Sequence, residues 1–224
     1  MIKTVIFDFD GTIIDTNALI EEGLNHFSLR YRGNHLSRKE LVELTGKTLE
    51  DQMHYIHPVH ALSMLEQFKI WYTHHHNAKT KAFPGMITLI KTLKSRGHRL
   101  AIVSNNSKLS LNQGLNHLMI SNYFDIVITR DDVINVKPSP EGLERVLAML
   151  DVDPSEAIYI GDTHNDMLAA RKAGIRNVMV GWSQLDVSQM LISEPDYMIS
   201  SSPQLLTIID SINENIVSYE KVAV

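Results

Sequence analysis

Five short runs of apolar and β-branched residues recur along the chain: Thr4-Val5-Ile6-Phe7, Leu100-Ala101-Ile102-Val103, Ile126-Val127-Ile128, Ala157-Ile158-Tyr159-Ile160 and Asn177-Val178-Met179-Val180. A strand with one face in water alternates apolar and polar residues, whereas a run without alternation has both faces buried. Strands buried on both faces belong to a parallel sheet covered by helices, so these runs restrict the fold more than any other feature. The segments between them read as helices over 86–96, 107–118, 140–150 and 164–173, with boundary chemistry at Asp153-Pro154 and Ala173-Gly174. The alternation predicts an open, doubly wound α/β fold.

One interval breaks the rhythm. A strand–helix–strand unit needs about 30 residues, yet the first strand ends near Asp8 and the second begins near Arg99. The excess, 16–82, holds helical patterns and no convincing strand. Leu19, Ile20, Leu24, Phe27 and Leu29 form one such pattern; Leu62, Met64, Leu65, Phe68 and Trp71 form another. The interval reads as a helical insertion into a core made of 1–15 and 83–224. Phe83-Pro84-Gly85 re-enters that core, with Pro84 placed to open the next helix.

Composition removes several function classes. Asp and Glu number 26 against 21 Lys and Arg, a net charge of −5, so the basic footprint of a nucleic-acid binder is lacking. No apolar run approaches the roughly 20 residues that span a bilayer. No secretory leader is readable at the start, which leads us to expect a cytoplasmic protein. With no cysteine there is neither a disulfide framework nor a thiolate nucleophile or metal ligand. Oligomeric state is not readable; monomer and homodimer both stay open.

Ligands of open α/β sheets bind beyond the carboxyl ends of the strands. Beyond the first run stand Asp8-Phe9-Asp10-Gly11-Thr12, two carboxylates at i and i+2 on extended backbone, followed by a glycine that permits a sharp turn. Beyond the second stands Ser104-Asn105-Asn106-Ser107, a hydroxyl ahead of residues suited to a helix N-terminus. Lys137-Pro138 follows the third. Gly161-Asp162-Thr163-His164-Asn165-Asp166, with carboxylates at i and i+4, follows the fourth.

In this order, Asp-x-Asp-Gly-Thr, Ser, Lys-Pro and Gly-Asp-x-x-x-Asp resemble the haloacid dehalogenase superfamily of phosphotransferases, and within it the phosphoglycolate-phosphatase-like branch. The resemblance spans nearly the whole chain, and the insertion 16–82 takes the place of that branch's helical cap. It implies that Asp8 is the nucleophile and Asp10 the general acid and base. Ser104 and Lys137 would bind phosphoryl oxygens. Asp162 would ligate Mg²⁺, joined by Asp8, the Asp10 backbone carbonyl and Asp166, the last as a ligand or as an anchor of the ion's water shell. Thr12, Asn105, Gly46 and Lys47 would meet the substrate, a small phosphorylated metabolite.

The chemistry of the residues agrees independently. Several carboxylates converging with one lysine repel one another unless a cation sits among them, and an all-oxygen set suits Mg²⁺ rather than zinc. Taken singly, each motif has an ordinary reading: Asp-Gly as a turn, Ser104 as a helix cap, Asp162 and Asp166 as a solvated helix start. Four in order, each beyond a strand, leave those readings little room. Other candidates fail. Gly46-Lys47-Thr48 resembles the end of a P-loop, but position 41 is Leu and no strand precedes it. His74-His75-His76 point in different directions on a helix and read as a polar face rather than a ligand set. Trp71, Tyr72 and Phe83 read as packing or hinge, and Trp182 is left without a role.

In the resembled branch a loop between cap helices faces the nucleophile and selects the leaving group. Leu44-Thr45-Gly46-Lys47-Thr48-Leu49 stands in that place, so Lys47 either meets a second anionic group or is a solvated surface residue. A sugar phosphomutase of the same superfamily is the nearest alternative, but it typically carries an Arg where this chain has Leu49. A pyrophosphatase also stays open. A dehalogenase has no leaving alcohol for Asp10 to protonate, and a silent binding domain has no need of Asp8, Asp10, Lys137 and Asp162 together.

Overall fold

The computed structural model describes residues 1–45, 47–182 and 187–222. Eight strands occur in it: β1 (Thr4–Phe7), β2 (Ile14–Asp15), β3 (Lys81–Ala82), β4 (Arg99–Val103), β5 (Ile126–Ile128), β6 (Ala157–Gly161), β7 (Arg176–Val180) and β8 (Tyr197–Ile199). The helices are α1 (Asn17–Arg32), α2 (Arg38–Leu44), α3 (Leu49–Ile56), α4 (Ala61–Lys79), α5 (Met86–Ser95), α6 (Lys108–His117), α7 (Glu141–Leu150), α8 (His164–Lys172), α9 (Val187–Ile192) and α10 (Gln204–Val222). The chain divides into two compact units, Met1–Ile14 with Ala82–Val224, and Asp15–Lys81. A two-stranded sheet of β2 and β3 marks the two crossings between them.

The larger unit is the α/β core. Its six strands are all parallel, in the order β5-β4-β1-β6-β7-β8. β1 lies centrally, with Thr4 level with Arg99 of β4 on one side and Ala157 of β6 on the other. Period-two alternation sends Val5, Phe7, Leu100, Ile102, Ile158, Ile160, Val178 and Val180 to one face, where they pack with Leu89, Leu93, Leu111, Leu115, Leu205 and Ile209 of α5, α6 and α10. Ile6, Ala101, Val103 and Tyr159 take the other face and meet Leu143, Val146, Ala169 and Ala170 of α7 and α8. Both faces are dry, as the uninterrupted apolar runs require. Each fully buried side chain of this size contributes about 1.5–3 kcal/mol.

Two details of the core differ from the sequence reading. β8 was not expected, because Tyr-Met-Ile is a three-residue edge strand with Met198 exposed. Pro84 does not open α5; it precedes the N-cap, which is Gly85 in a left-handed conformation. The Ser202 hydroxyl donates to the Pro84 carbonyl at 3.1 Å and holds this turn in place.

The smaller unit contains α1 to α4 around its own apolar cluster, with Leu19, Leu24, Phe27, Leu44, Met53, Met64 and Phe68 buried. The helical patterns pointed to this cluster, although Leu29 and Leu62 turn outward. The histidine run departs from a purely polar face. His76 is buried, and His75 stacks on Trp71 with ring centroids 4.3 Å apart. Lys47 lies 3.7 Å from Glu43 and 5.9 Å from the Tyr55 ring centroid. Gly46 lies outside the described residues.

Candidate active site

β1 carries Asp8 past its last ladder residue: the Asp8 N–H still donates to Ile160 O at 2.7 Å. The chain then turns sharply, with Ile13 and Ile14 N–H both donating to Phe9 O. Gly11 makes the turn possible. Its φ is +82°, and a Cβ there would fall 2.2 Å from Asp162 Oδ2. The loops after β1 and β6 therefore meet at a distance that only hydrogen allows. Trp182, without a role in the sequence reading, donates from Nε1 to Thr12 O at 3.3 Å and packs against Phe83. Thr12 itself is fully buried.

Lys137 is the hub. It is buried, and its Nζ lies 2.6 Å from Asp8 Oδ1, 2.6 Å from Asp166 Oδ1 and 2.9 Å from Tyr159 Oη. Asn105 fixes its backbone: Lys137 N–H donates to Asn105 Oδ1 at 2.9 Å, and Asn105 Nδ2 donates to Lys137 O at 3.0 Å. Both ends of that amide thus engage the Lys137 backbone. Its place in the fold is that of a clamp. The Lys137–Pro138 bond is cis.

Asp166 sits in the first turn of α8. Thr163 and Asp166 form a capping box, the Thr163 N–H and hydroxyl both donating to Asp166 Oδ2. Tyr159 OH lies 2.8 Å from the Oδ1 that also receives Lys137. A Cβ on Gly161 would meet the Asp166 side chain at 2.4 Å, so this packing too depends on glycine. Ser104 is buried, and its Oγ accepts the Asn106 N–H at 3.1 Å. Asn106 Nδ2 donates to Asp10 Oδ2 at 2.8 Å.

Asp8, Asp162 and Asp166 each present a carboxylate oxygen within 4.8 Å of the others, all three buried. Burial raises the Asp8 carboxyl to about 7; Lys137 opposes the shift, while Asp166 and Asp10 add to it. Burial, then Asp8 and Asp166, push Asp162 well above its ordinary range. Burial acts against the Asp166 anion too, but Lys137, Thr163 and Tyr159 outweigh it and hold the carboxyl low. Burial lowers Lys137, yet Asp166 and Asp8 more than compensate and raise it. Three carboxylates face one ammonium in a dry site. The donor set is all oxygen and in charge excess, which fits a hard divalent cation.

The structure thus brings together Asp8, Asp162, Asp166 and Lys137, with Asp10 and Ser104 joined through Asn106; Thr12 is buried in the turn after β1. Sequence reasoning passed over Tyr159, Thr163 and Asn106. The first two left signals, a tyrosine in an otherwise aliphatic run and a Thr-x-x-Asp cap; Asn106 left none beyond its place after Ser104.

Residues 5–180 match the family described as haloacid dehalogenase-like hydrolases. The chain is 34% identical over 208 residues to Pyrophosphatase PpaX of Anoxybacillus flavithermus, covering 93% of this chain and 97% of that one. Among solved structures, a HAD hydrolase of family IA, variant 3, from Entamoeba histolytica superposes with a TM-score of 0.84 at 22% identity, covering 95% of this chain and 100% of that chain. A predicted phosphoglycolate phosphatase from Haemophilus somnus gives 0.83 at 19% identity, with 93% and 98% covered. These two share the fold.

Proposed function

We propose that this chain, which belongs to the haloacid dehalogenase-like hydrolases and is a phosphatase of that family, works through Asp8 as nucleophile with Mg²⁺ as cofactor. The observation that carries the proposal is Lys137 Nζ at 2.6 Å from both Asp8 and Asp166, beside Asp162 in a buried cluster. Lys137 offsets charge on the incoming phosphoryl group, so the anionic Asp8 oxygen can approach phosphorus. The ester or anhydride P–O bond breaks, its electron pair stays on the leaving oxygen, and Asp10 supplies the proton. Asp10 then takes a proton from the water that attacks the aspartyl phosphate, releasing inorganic phosphate and restoring Asp8. Ser104 OH would donate to a phosphoryl oxygen. Asp8, the Asp10 carbonyl and Asp162 would hold the cation, which supplies electrostatic stabilisation of the transferring group; Asp166, its oxygens engaged by Lys137, Tyr159 and Thr163, would steady its surroundings.

For the substrate, pyrophosphate is the leading compound, because the relative at 34% identity over nearly its full length is named a pyrophosphatase. Phosphoglycolate comes next, supported by resemblance and fold. The test is a kcat/KM panel with and without Mg²⁺ over pyrophosphate, phosphoglycolate, a hexose phosphate and p-nitrophenyl phosphate. Preference for pyrophosphate is expected; isomerisation of the hexose phosphate would instead identify a mutase. Asp8→Asn should abolish turnover while leaving the protein folded. Lys47→Ala should lower kcat/KM for pyrophosphate and phosphoglycolate more than for p-nitrophenyl phosphate, which carries no second anionic group; equal losses would withdraw Lys47 from recognition.

A further inference from the structure

Three hydrogen bonds fix Asn106, two through its backbone and one through its side-chain amide. Its N–H donates to Ser104 Oγ at 3.1 Å, its Oδ1 accepts the Ser107 N–H at 2.8 Å, and its carbonyl accepts the Arg130 N–H at 3.2 Å. With Oδ1 committed to a backbone donor, the side chain can offer only Nδ2 toward Asp10, where it lies 2.8 Å from Oδ2. Exchanging the amide's O and N would set two acceptors against each other on the Asp10 side and two donors against each other at Ser107.

Resting on the reading of Asp10 as the acid that protonates the leaving oxygen, we propose that Asn106 is a positioning residue that selects which Asp10 oxygen carries the proton. A hydroxyl oxygen at Oδ2 is a weaker acceptor for the Nδ2 hydrogen than a carbonyl oxygen there, so the protonated acid carries its hydrogen preferentially on Oδ1. As Asp8 attacks phosphorus and the P–O bond to the leaving group breaks, the proton passes from Oδ1 to that oxygen, and Asp10 is left as a carboxylate already hydrogen-bonded at Oδ2. Asn106 touches neither substrate nor phosphorus.

The test is the dependence of kcat/KM on leaving group, which reports phosphoryl transfer to Asp8 separately from the later hydrolysis. The series is p-nitrophenyl phosphate, phenyl phosphate and an alkyl phosphate, whose leaving oxygens need progressively more protonation. General-acid assistance is worth about 10²–10⁴-fold, so Asn106→Ala should lose about tenfold more on the alkyl phosphate than on p-nitrophenyl phosphate. Asn106→Asp keeps the acceptor for Ser107 and sets a carboxylate oxygen where Asp10 had a donor, so it should show at least the same steepening even if Asn106→Ala proves unstable. A loss by the same factor across the series, in whichever variant folds, overturns the proposal and leaves Asn106 a structural residue. Failure of the unmodified protein on every ester is a different result: it overturns the phosphatase reading itself, and this inference with it.

Discussion

The side-chain amide of Asn105 pairs with the Lys137 peptide on both edges, at 2.9 and 3.0 Å, across 32 residues of sequence. The loop after β4 thereby sets the position of a lysine whose ammonium lies on the loop after β1. Asn105→Ala should lower kcat by about tenfold, since a shift of about 1 Å in a catalytic group costs up to about 10²-fold. It should also cost about 1–3 kcal/mol of stability for two lost hydrogen bonds, or a fall of about 2–12 °C in Tm. Steady-state kinetics and calorimetry check both, and an unchanged kcat would show that Lys137 is held by its carboxylates alone.

Lys137→Ala removes the ammonium that pairs with the buried Asp8 and Asp166. The unfolding free energy without Mg²⁺ should fall by about 3–5 kcal/mol, the scale for leaving a buried charge uncompensated. Turnover should drop by about 10²-fold or more, because a preorganised donor aimed at developing charge is lost. A defect confined to KM would make Lys137 a binder of the ground state only.

Mg²⁺ should stabilise the folded chain whether or not substrate is present. A ligand at 100 times its Kd contributes about 2.7 kcal/mol, visible as a rise in Tm on titration. Asp162→Asn should abolish that rise together with activity. If the variant keeps the full Mg²⁺-dependent shift, the ion binds elsewhere.

Asp125 supplies a pH test away from the site. Burial acts against its anion, but Lys94 at 2.6 Å and the Leu100 N–H at 2.8 Å prevail and hold the carboxyl below its ordinary 3.8. A depressed carboxyl contributes stability above its unfolded value and loses it as pH falls through the folded one. The stability gap between the unmodified protein and Asp125→Asn should be present in full at neutral pH and shrink below 3.8. Denaturant unfolding at both pH values measures it, and a constant gap would assign the effect to packing.

The α/β architecture was legible because five strands are apolar on both faces, a pattern that water would penalise in any sheet left uncovered. β8 was not, because three residues at a sheet edge carry too little periodicity to register. The chemistry at strand ends was legible as residue types, since carboxylates and a lysine beyond buried strands have few ordinary reasons to recur. What each side chain holds was less so. The resemblance assigns Asn105 to substrate but gives no hint that its amide also holds a backbone 32 residues away. Tyr159 read as core because a strand pattern records which face a side chain takes, not how far its hydroxyl reaches.

The central position of β1 has a consequence for synthesis. This strand leaves the ribosome before both of its neighbours, since Thr4 must wait for Arg99 and Ala157. At about 5–20 residues per second the second partner follows roughly 8–30 s later. The helices of Asp15–Lys81, whose apolar cluster lies wholly within that stretch, emerge in full during the delay. A nascent chain therefore carries a bare apolar strand with the proposed nucleophile Asp8 at its tip, inert until the fourth strand of the core arrives with Asp162 and Asp166 after it. Hydrolytic competence begins only when the core closes.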